Sequence, residues 1–385
     1  MRDGAPVDPP APLPLARPNI TDDEVSAVVR VLRSRHIASG PETAELEREL
    51  SAKFGGRDVV CVSSGGAALL LALMAAGTGP GDEVVVPDFV FPAAAHAALF
   101  LGALPVPADV DLETLSITPE SVARRLTPST KAVVVVHPFG IPADVEGIAA
   151  ICPPSVRVIE DGACALGGLT ASGAAVGTVG EVSCFSFHPR KSISTGEGGC
   201  VVADGDTARR LRLWHDYGRV GKGYGDIFHD VGLNLRLSDI CAAVGRVQLA
   251  RLQDSIRLRG RIAQVYFEGL ERLDFVRVPA GHRLPGNTFQ SFVVETKLDP
   301  SIVIAGLAEH GIAAGPAAQS LSMQSMFRSR IAALAASSDG SGPRLAMNTI
   351  ALPMFDEMTD AQAWRVIEAL ATVSGQTGLA GTPEG

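Results

Sequence analysis

The chain has 385 residues, 46% of them hydrophobic and 19% charged, with a net charge of −9. That length and balance support a large buried core, divided into one large and one smaller domain, and exclude a disordered chain. The acidic balance argues against nucleic acid and anionic membranes, which need a cationic face, yet leaves room for a small anion held by a few local donors.

Residues 1–18 are rich in Pro and Ala and read as a flexible or draped arm, not a signal peptide. From there the pattern alternates. A strand is expected over 58–62, a helix over 65–76, a strand over 83–86, a helix over 92–101 and a strand over 104–108. The apolar run over 93–106 is broken by His96, Gly102 and Pro105, so no membrane span is expected. Next come a helix over 121–126, a β-branched strand over 131–136, a helix over 143–151 and strands over 157–160, 182–187 and 199–203. Helices follow over 207–215 and 238–252. This alternation implies a doubly wound α/β fold with a mainly parallel sheet covered by helices. After about residue 255 the character changes. A helix over 257–273 leads to strands over 275–278 and 289–296, a helix over 301–310, a Ser/Gly-rich loop over 337–342 and a last helix over 360–373. The expected division is an arm (1–18), a large domain (19–255), a small α+β domain (256–373) and a frayed polar tail (374–385). The cysteines are Cys61, Cys152, Cys164, Cys184, Cys200 and Cys241. They form no CxxC pair and read as reduced, buried thiols of a cytoplasmic protein.

Only five of the 33 cationic residues are lysines. One, Lys191, stands between the aromatic run Phe185-Ser186-Phe187 and the glycine turn at Gly196–Gly199. A primary amine condenses with an aldehyde, which guanidinium does not. Upstream, Val158-Ile159-Glu160-Asp161 ends an apolar strand on a carboxylate. Amine and acid at neighbouring strand ends suit pyridoxal 5'-phosphate (PLP): the lysine takes its aldehyde and the aspartate keeps its pyridine nitrogen protonated. Ligands of open α/β sheets bind at the carboxyl ends of the strands. Ser63-Ser64-Gly65-Gly66 closes one strand and opens a helix, the arrangement of a phosphate cup. Phe91 offers a ring for stacking, and Ser186 a hydroxyl just before Lys191. Taken singly, each has a plain structural reading. Gly65-Gly66 makes a tight turn, Phe91 a core ring, Asp161 a helix cap, Ser186 a satisfied core hydroxyl and Lys191 a surface cation. Their order and spacing together favour the cofactor site.

These segments resemble the DegT/DnrJ/EryC1/StrS sugar aminotransferases of PLP fold type I, over about residues 15–373. The resemblance rests mainly on Glu160-Asp161…Gly167, the block 184–199 and the block 232–249, with Gly-x-Asn-x-Arg followed by Ala-Ala-x-Gly and Gln-Leu. Weaker matches are Gly40-Pro41, Val136-His137…Gly140…Pro142-Ala143-Asp144 and Ala351-Leu352-Pro353. The resemblance implies an aspartate-aminotransferase-like fold with a mainly parallel seven-stranded sheet and a smaller α+β C-terminal domain. It implies Lys191 as Schiff-base lysine, Asp161 as partner of the pyridine nitrogen, Phe91 as stacking ring, and Ser186, Gly65 and Gly66 as phosphate site. It implies a homodimer with shared sites in which Asn234 reaches the neighbour's phosphate, and places Arg236 near substrate. Gly66 stands where the family usually has Thr, and Cys164 where Gln or His is common beside the cofactor's phenolic oxygen. The family's His and Tyr substrate contacts are missing around 287–290 and 315–326.

The implied reaction moves an amino group, by resemblance from glutamate, to a keto group of a nucleotide-linked deoxysugar. Arg219 and Arg236 are candidates for its diphosphate, or members of structural ion pairs. A non-nucleotide ketone, such as a cyclitol, and a non-catalytic binding role stand as alternatives. A PLP-dependent sugar dehydratase carries His at the lysine position. The G-x-G-x-x-G of a Rossmann dehydrogenase, the G-x-S-x-G elbow of a serine hydrolase and clustered Cys/His metal ligands are missing from the sequence.

Overall fold

The structure is a computed structural model that describes residues 11–221, 227–329 and 340–375. Seven strands make the main sheet: β1 (Asp58–Val62), β2 (Glu83–Pro87), β3 (Leu104–Ala108), β4 (Thr130–Val136), β5 (Arg157–Asp161), β6 (Val182–Ser186) and β7 (Gly199–Ala203). Their order is β1-β7-β6-β5-β4-β2-β3. β3, β2, β4, β5 and β6 pair in parallel, whereas β7 runs antiparallel to both β6 and β1. The reversal has a local cause. A parallel return needs a long, usually helical crossover, and 187–198 carries Pro189, Gly196 and Gly198 in place of an apolar helical repeat. The loop therefore turns straight back and leaves Lys191 beside the strand ends. β4 is buried on both faces, as its Ala-Val-Val-Val-Val run requires of a central strand.

Four helices position the site and its surroundings: α1 (Asp22–Ser34), α2 (Pro41–Lys53), α3 (Gly65–Ala75) and α4 (Ala93–Phe100). Two of them, α1 and α2, depart from the sequence reading, which placed nothing there. Both bury charge, and α2 has only Leu46 and Leu50 as large apolar residues on its buried face. Glu24 of α1 is 2% exposed and closes a capping box on Thr21. Glu42 of α2 is buried against Arg30 and Arg246. By contrast, α3 is apolar all round and is buried on nearly every side, as an interior helix must be.

A second sheet of four antiparallel strands lies toward the C-terminus: β8 (Val276–Arg277), β9 (Phe292–Thr296), β10 (Gly315–Pro316) and β11 (Thr349–Leu352), ordered β8-β9-β11-β10. It has its own core, in which Tyr266, Phe292, Ile350 and Ile367 are fully buried. The strand expected from 289 begins only at Phe292, because Phe289 takes a left-handed φ of 50° that no ladder accepts. The helices expected over 238–252 and 257–273 form at Asp239–Ala250 and Leu252–Leu270, parted only by Arg251. β10, β11 and the helix Ser341–Asn348 were absent from the sequence reading. Of the Ser/Gly-rich loop, 337–339 lies outside the described residues, and Gly340 caps that helix. Most of the tail and the first ten residues of the arm also lie outside them. The described part of the arm is packed. Leu13 is 2% exposed and bridges Ile312, and Leu15 O accepts from Met354 N. Cys61, Cys184 and Cys200 are buried, whereas Cys152, Cys164 and Cys241 are only partly so, and all six are unpaired thiols.

Candidate active site

The last residue of β5 is Asp161, 7% exposed. Its Oδ1 accepts from Ala163 N at 3.0 Å. Burial raises this carboxyl above its ordinary value, and the Ala163 amide and the Lys191 charge pull it back. A buried carboxylate with so few donors suits a cationic N–H partner. The residue before it, Glu160, points the other way, as strand alternation demands. It is fully buried and accepts from Gly177 N at 2.6 Å, Gly180 N at 2.9 Å and the His137 ring at 3.1 Å. His137 Nδ1 accepts from Ala143 N at 3.0 Å, so the ring proton sits on Nε2 and is donated to Glu160. Burial pushes Glu160 up, but these bonds outweigh it and hold it below the usual carboxylate range. His137 N also donates to Asp161 O at 3.0 Å. The His137–Glu160 pair thus braces the strand end that carries Asp161. Both residues stand in the sequence motifs, yet nothing in the sequence assigns either a task.

Lys191 is half-buried in the turn after β6, and its Nζ lies 3.1 Å from Cys164 Sγ. Ser186 ends β6, and the N-terminus of α3 abuts it. A Cβ on Gly65 would stand 2.7 Å from Ser186 Cβ and 3.0 Å from its Oγ. Only glycine fits there, so the helix N-terminus and the serine hydroxyl share one spot. The first-turn amides of a helix lack partners inside it. Ser64 Oγ takes that of Ala67 at 3.0 Å, which leaves Gly65 and Gly66 to face an anion. Gly66 is exposed, and a Cβ there would meet only Ser64 Oγ, at 3.7 Å. The position would accept a threonine, so what Gly66 forgoes is a hydroxyl, not space.

Phe91 follows β2 and is 72% exposed, so it is not the core ring of the plain reading. The strand Phe89–Val90, paired with Gln319–Ser320, fixes its base. Nearby, the buried Asp88 accepts from Ser320 Oγ, Ser322 N and Ser322 Oγ at 2.9, 2.7 and 2.8 Å. Leu235 O accepts from Ser63 N at 2.7 Å, which lays 234–236 beside the end of β1. Asn234 is exposed. Arg219 and Arg236 both bond the Asp216 carboxylate, Arg219 Nη2 at 2.7 Å. The structure therefore gathers Lys191, Asp161, Cys164, Ser186, Gly65 and Gly66 at the carboxyl end of the main sheet, and ties both arginines to one acid.

A buried acid, an amine, an exposed ring and an amide-lined cradle too tight for a Cβ fit the ring, aldehyde and phosphate of PLP. The sequence profile of the DegT/DnrJ/EryC1/StrS aminotransferase family matches residues 18–371. The chain belongs to this family. It is a PLP-dependent aminotransferase of fold type I, with PLP as its cofactor. Similar solved structures include the aminotransferase TlmJ of Streptoalloteichus hindustanus, 31% identical, with a TM-score of 0.86 over 94% of this chain and 99% of the other. A Streptococcus pneumoniae protein described as a sugar aminotransferase, in its PMP form, is 25% identical, with a TM-score of 0.88 over 95% and 98%. A 3-amino-5-hydroxybenzoic acid synthase is 29% identical, with a TM-score of 0.87 over 95% and 100%. No helix among the described residues of this aminotransferase is long and apolar enough to cross a membrane.

Proposed function

We propose that this aminotransferase transfers an amino group from glutamate to the keto group of a nucleotide-linked deoxysugar. It would act in the cytoplasm as a homodimer in which Asn234 of one protomer reaches the cofactor phosphate of the other. The observation that supports the catalytic assignment is geometric. Lys191, in the turn after β6, bonds Cys164 Sγ at 3.1 Å, three residues beyond the buried Asp161 that closes β5.

When bound, PLP supplies an aldehyde for covalent capture of amines and a ring that absorbs the electrons left at a deprotonated carbon. Lys191 Nζ would hold the aldehyde and, once displaced by a donor amine, would serve as the base that takes the donor's α-proton and the acid that gives it back. Asp161 keeps the ring nitrogen protonated. Burial strengthens this bond, since little water competes for the carboxylate. Ser186 and the Gly65 and Gly66 amides hold the phosphate, and Phe91 covers a ring face. The same Lys191 amine would act as acid and base toward the acceptor ketone.

A second reading is favoured by Asp216, whose single carboxylate already engages both Arg219 and Arg236 and offsets one of their two charges. An acceptor without a diphosphate, such as a cyclitol or another secondary-metabolite ketone, needs neither arginine. The likeness to a 3-amino-5-hydroxybenzoic acid synthase is in keeping with it. Incubating the PLP enzyme with amino products in reverse decides the matter. Nucleotide-linked amino sugars should shift the cofactor absorbance to the pyridoxamine form, and unlinked aminocyclitols should not. The opposite result moves the assignment to the second reading.

A further inference from the structure

Lys191 belongs to neither strand nor helix, so something else must fix its backbone. Two carbonyls belong to residues next to the amine: that of Arg190, one residue before in the chain, and that of Cys164, whose Sγ receives the Nζ hydrogen bond. Both are held from one short segment, 287–291, just before β9. Gln290 Nε2 donates to Arg190 O. Thr288 Oγ1 donates to Cys164 O at 2.9 Å. Gln290 is 5% exposed and Thr288 fully buried.

The segment is itself tied down. Thr288 N and Ser291 N donate to Gly140 O and Phe139 O, each at 3.1 Å. A Cβ on Gly140 would stand 2.4 Å from Thr288 Oγ1, so the two backbones meet as closely as glycine allows. Gln290 O accepts from Arg259 Nη1 at 3.1 Å, and Arg259 Nε is paired with Asp356 at 2.7 Å. Between the two donors Phe289 holds a left-handed φ of 50°, a strained conformation that persists only where the surroundings over-determine the backbone.

We propose that Thr288 and Gln290 are positioning residues that hold the Lys191 amine in register for covalent capture of the cofactor and for proton transfer. The inference rests on Lys191 being the residue that takes the PLP aldehyde. A lysine stem has four rotatable bonds and wanders unless its base is fixed. A misplacement of about 1 Å costs up to ~10²-fold in a positioned reaction. Without Gln290 the Arg190 carbonyl loses a buried donor and the turn relaxes.

The test uses two probes that share ring and phosphate. PLP carries the aldehyde that Lys191 takes, and pyridoxamine phosphate has no aldehyde. Gln290→Met and Thr288→Val remove the donors at similar bulk. In each, the dissociation constant for PLP should rise about 10-fold while that for pyridoxamine phosphate changes less than about twofold, and Thr288→Ser should restore the ratio. Constants that rise together, or do not move, overturn the proposal. If Gln290→Met does not fold, Thr288→Val reads the same ratio. Borohydride reduction of the wild-type PLP enzyme should leave a mass adduct on Lys191. An adduct elsewhere rejects the lysine assignment itself, and so is told apart from failure of the clamp.

Discussion

The two ends of the candidate site are built differently. The phosphate end is mostly backbone: the first turn of α3, a glycine with no room for a side chain, and Ser186 pressed against it. The amine end is made of side chains, Lys191, Cys164, Thr288 and Gln290, brought together from three distant stretches. A backbone cup is set by one strand-to-helix junction and tolerates little change at its closest contact. A side-chain cluster depends on the packing of remote segments, and each member can be removed without disturbing the sheet.

The largest expected effect is at the amine end. Lys191→Ala removes the proposed nucleophile and proton carrier together and should lower kcat by about 10⁴-fold, with an unchanged circular dichroism spectrum. Wild-type turnover in that variant would reject the assignment. Asp161→Asn should cost roughly 10²–10³-fold in kcat. It has a second, opposite consequence. Burial raises the Asp161 carboxyl in the folded chain, so the folded state binds this proton more tightly than the unfolded one. Its contribution to stability is therefore fullest below the unfolded pKa and is lost as pH rises through the raised folded value. Above that raised value the cofactor-free protein bears the loss, so there Asp161→Asn should melt higher than wild type without cofactor while turning over far more slowly. Calorimetry of the two cofactor-free proteins checks the sign.

The phosphate end answers with affinity instead of rate. Gly65→Ala forces a Cβ to 2.7 Å from Ser186. Overpacking of about 1–3 kcal/mol should weaken PLP binding about 10–100-fold. The smallest effect is a gain. Gly66→Thr enters open space and adds one hydroxyl, worth about 1–1.5 kcal/mol, so PLP titration should show affinity rising about 10-fold. Unchanged binding in both variants would place the phosphate elsewhere.

Much of this was legible in the chain because it is local. The β-branched run of β4, the Ser-Ser-Gly-Gly junction and the carboxylate closing β5 carry their geometry in adjacent residues. α1 carries a legible apolar stripe through Ala27 and Val31 that the sequence reading passed over, whereas α2 escaped because its buried face holds Glu42, and a pattern of apolar residues is blind to an acid paired with arginines on other helices. Phe289 hid the true start of β9, since nothing in its type announces a left-handed φ. For Arg219 and Arg236 the sequence left open a diphosphate contact or a structural ion pair, and the fold set Asp216 between them.

Sequence alone determined the alternating α/β plan, the strand ends that would carry chemistry, and an amine and an acid at two of them, because periodicity and turn chemistry act within a few residues. Tertiary structure decided what those groups meet: that Ser186 closes on Gly65, that His137 and Glu160 brace Asp161, and that residues nearly a hundred positions further on grip the carbonyls around Lys191. Such contacts depend on how separate segments pack, and no short stretch of chain encodes them.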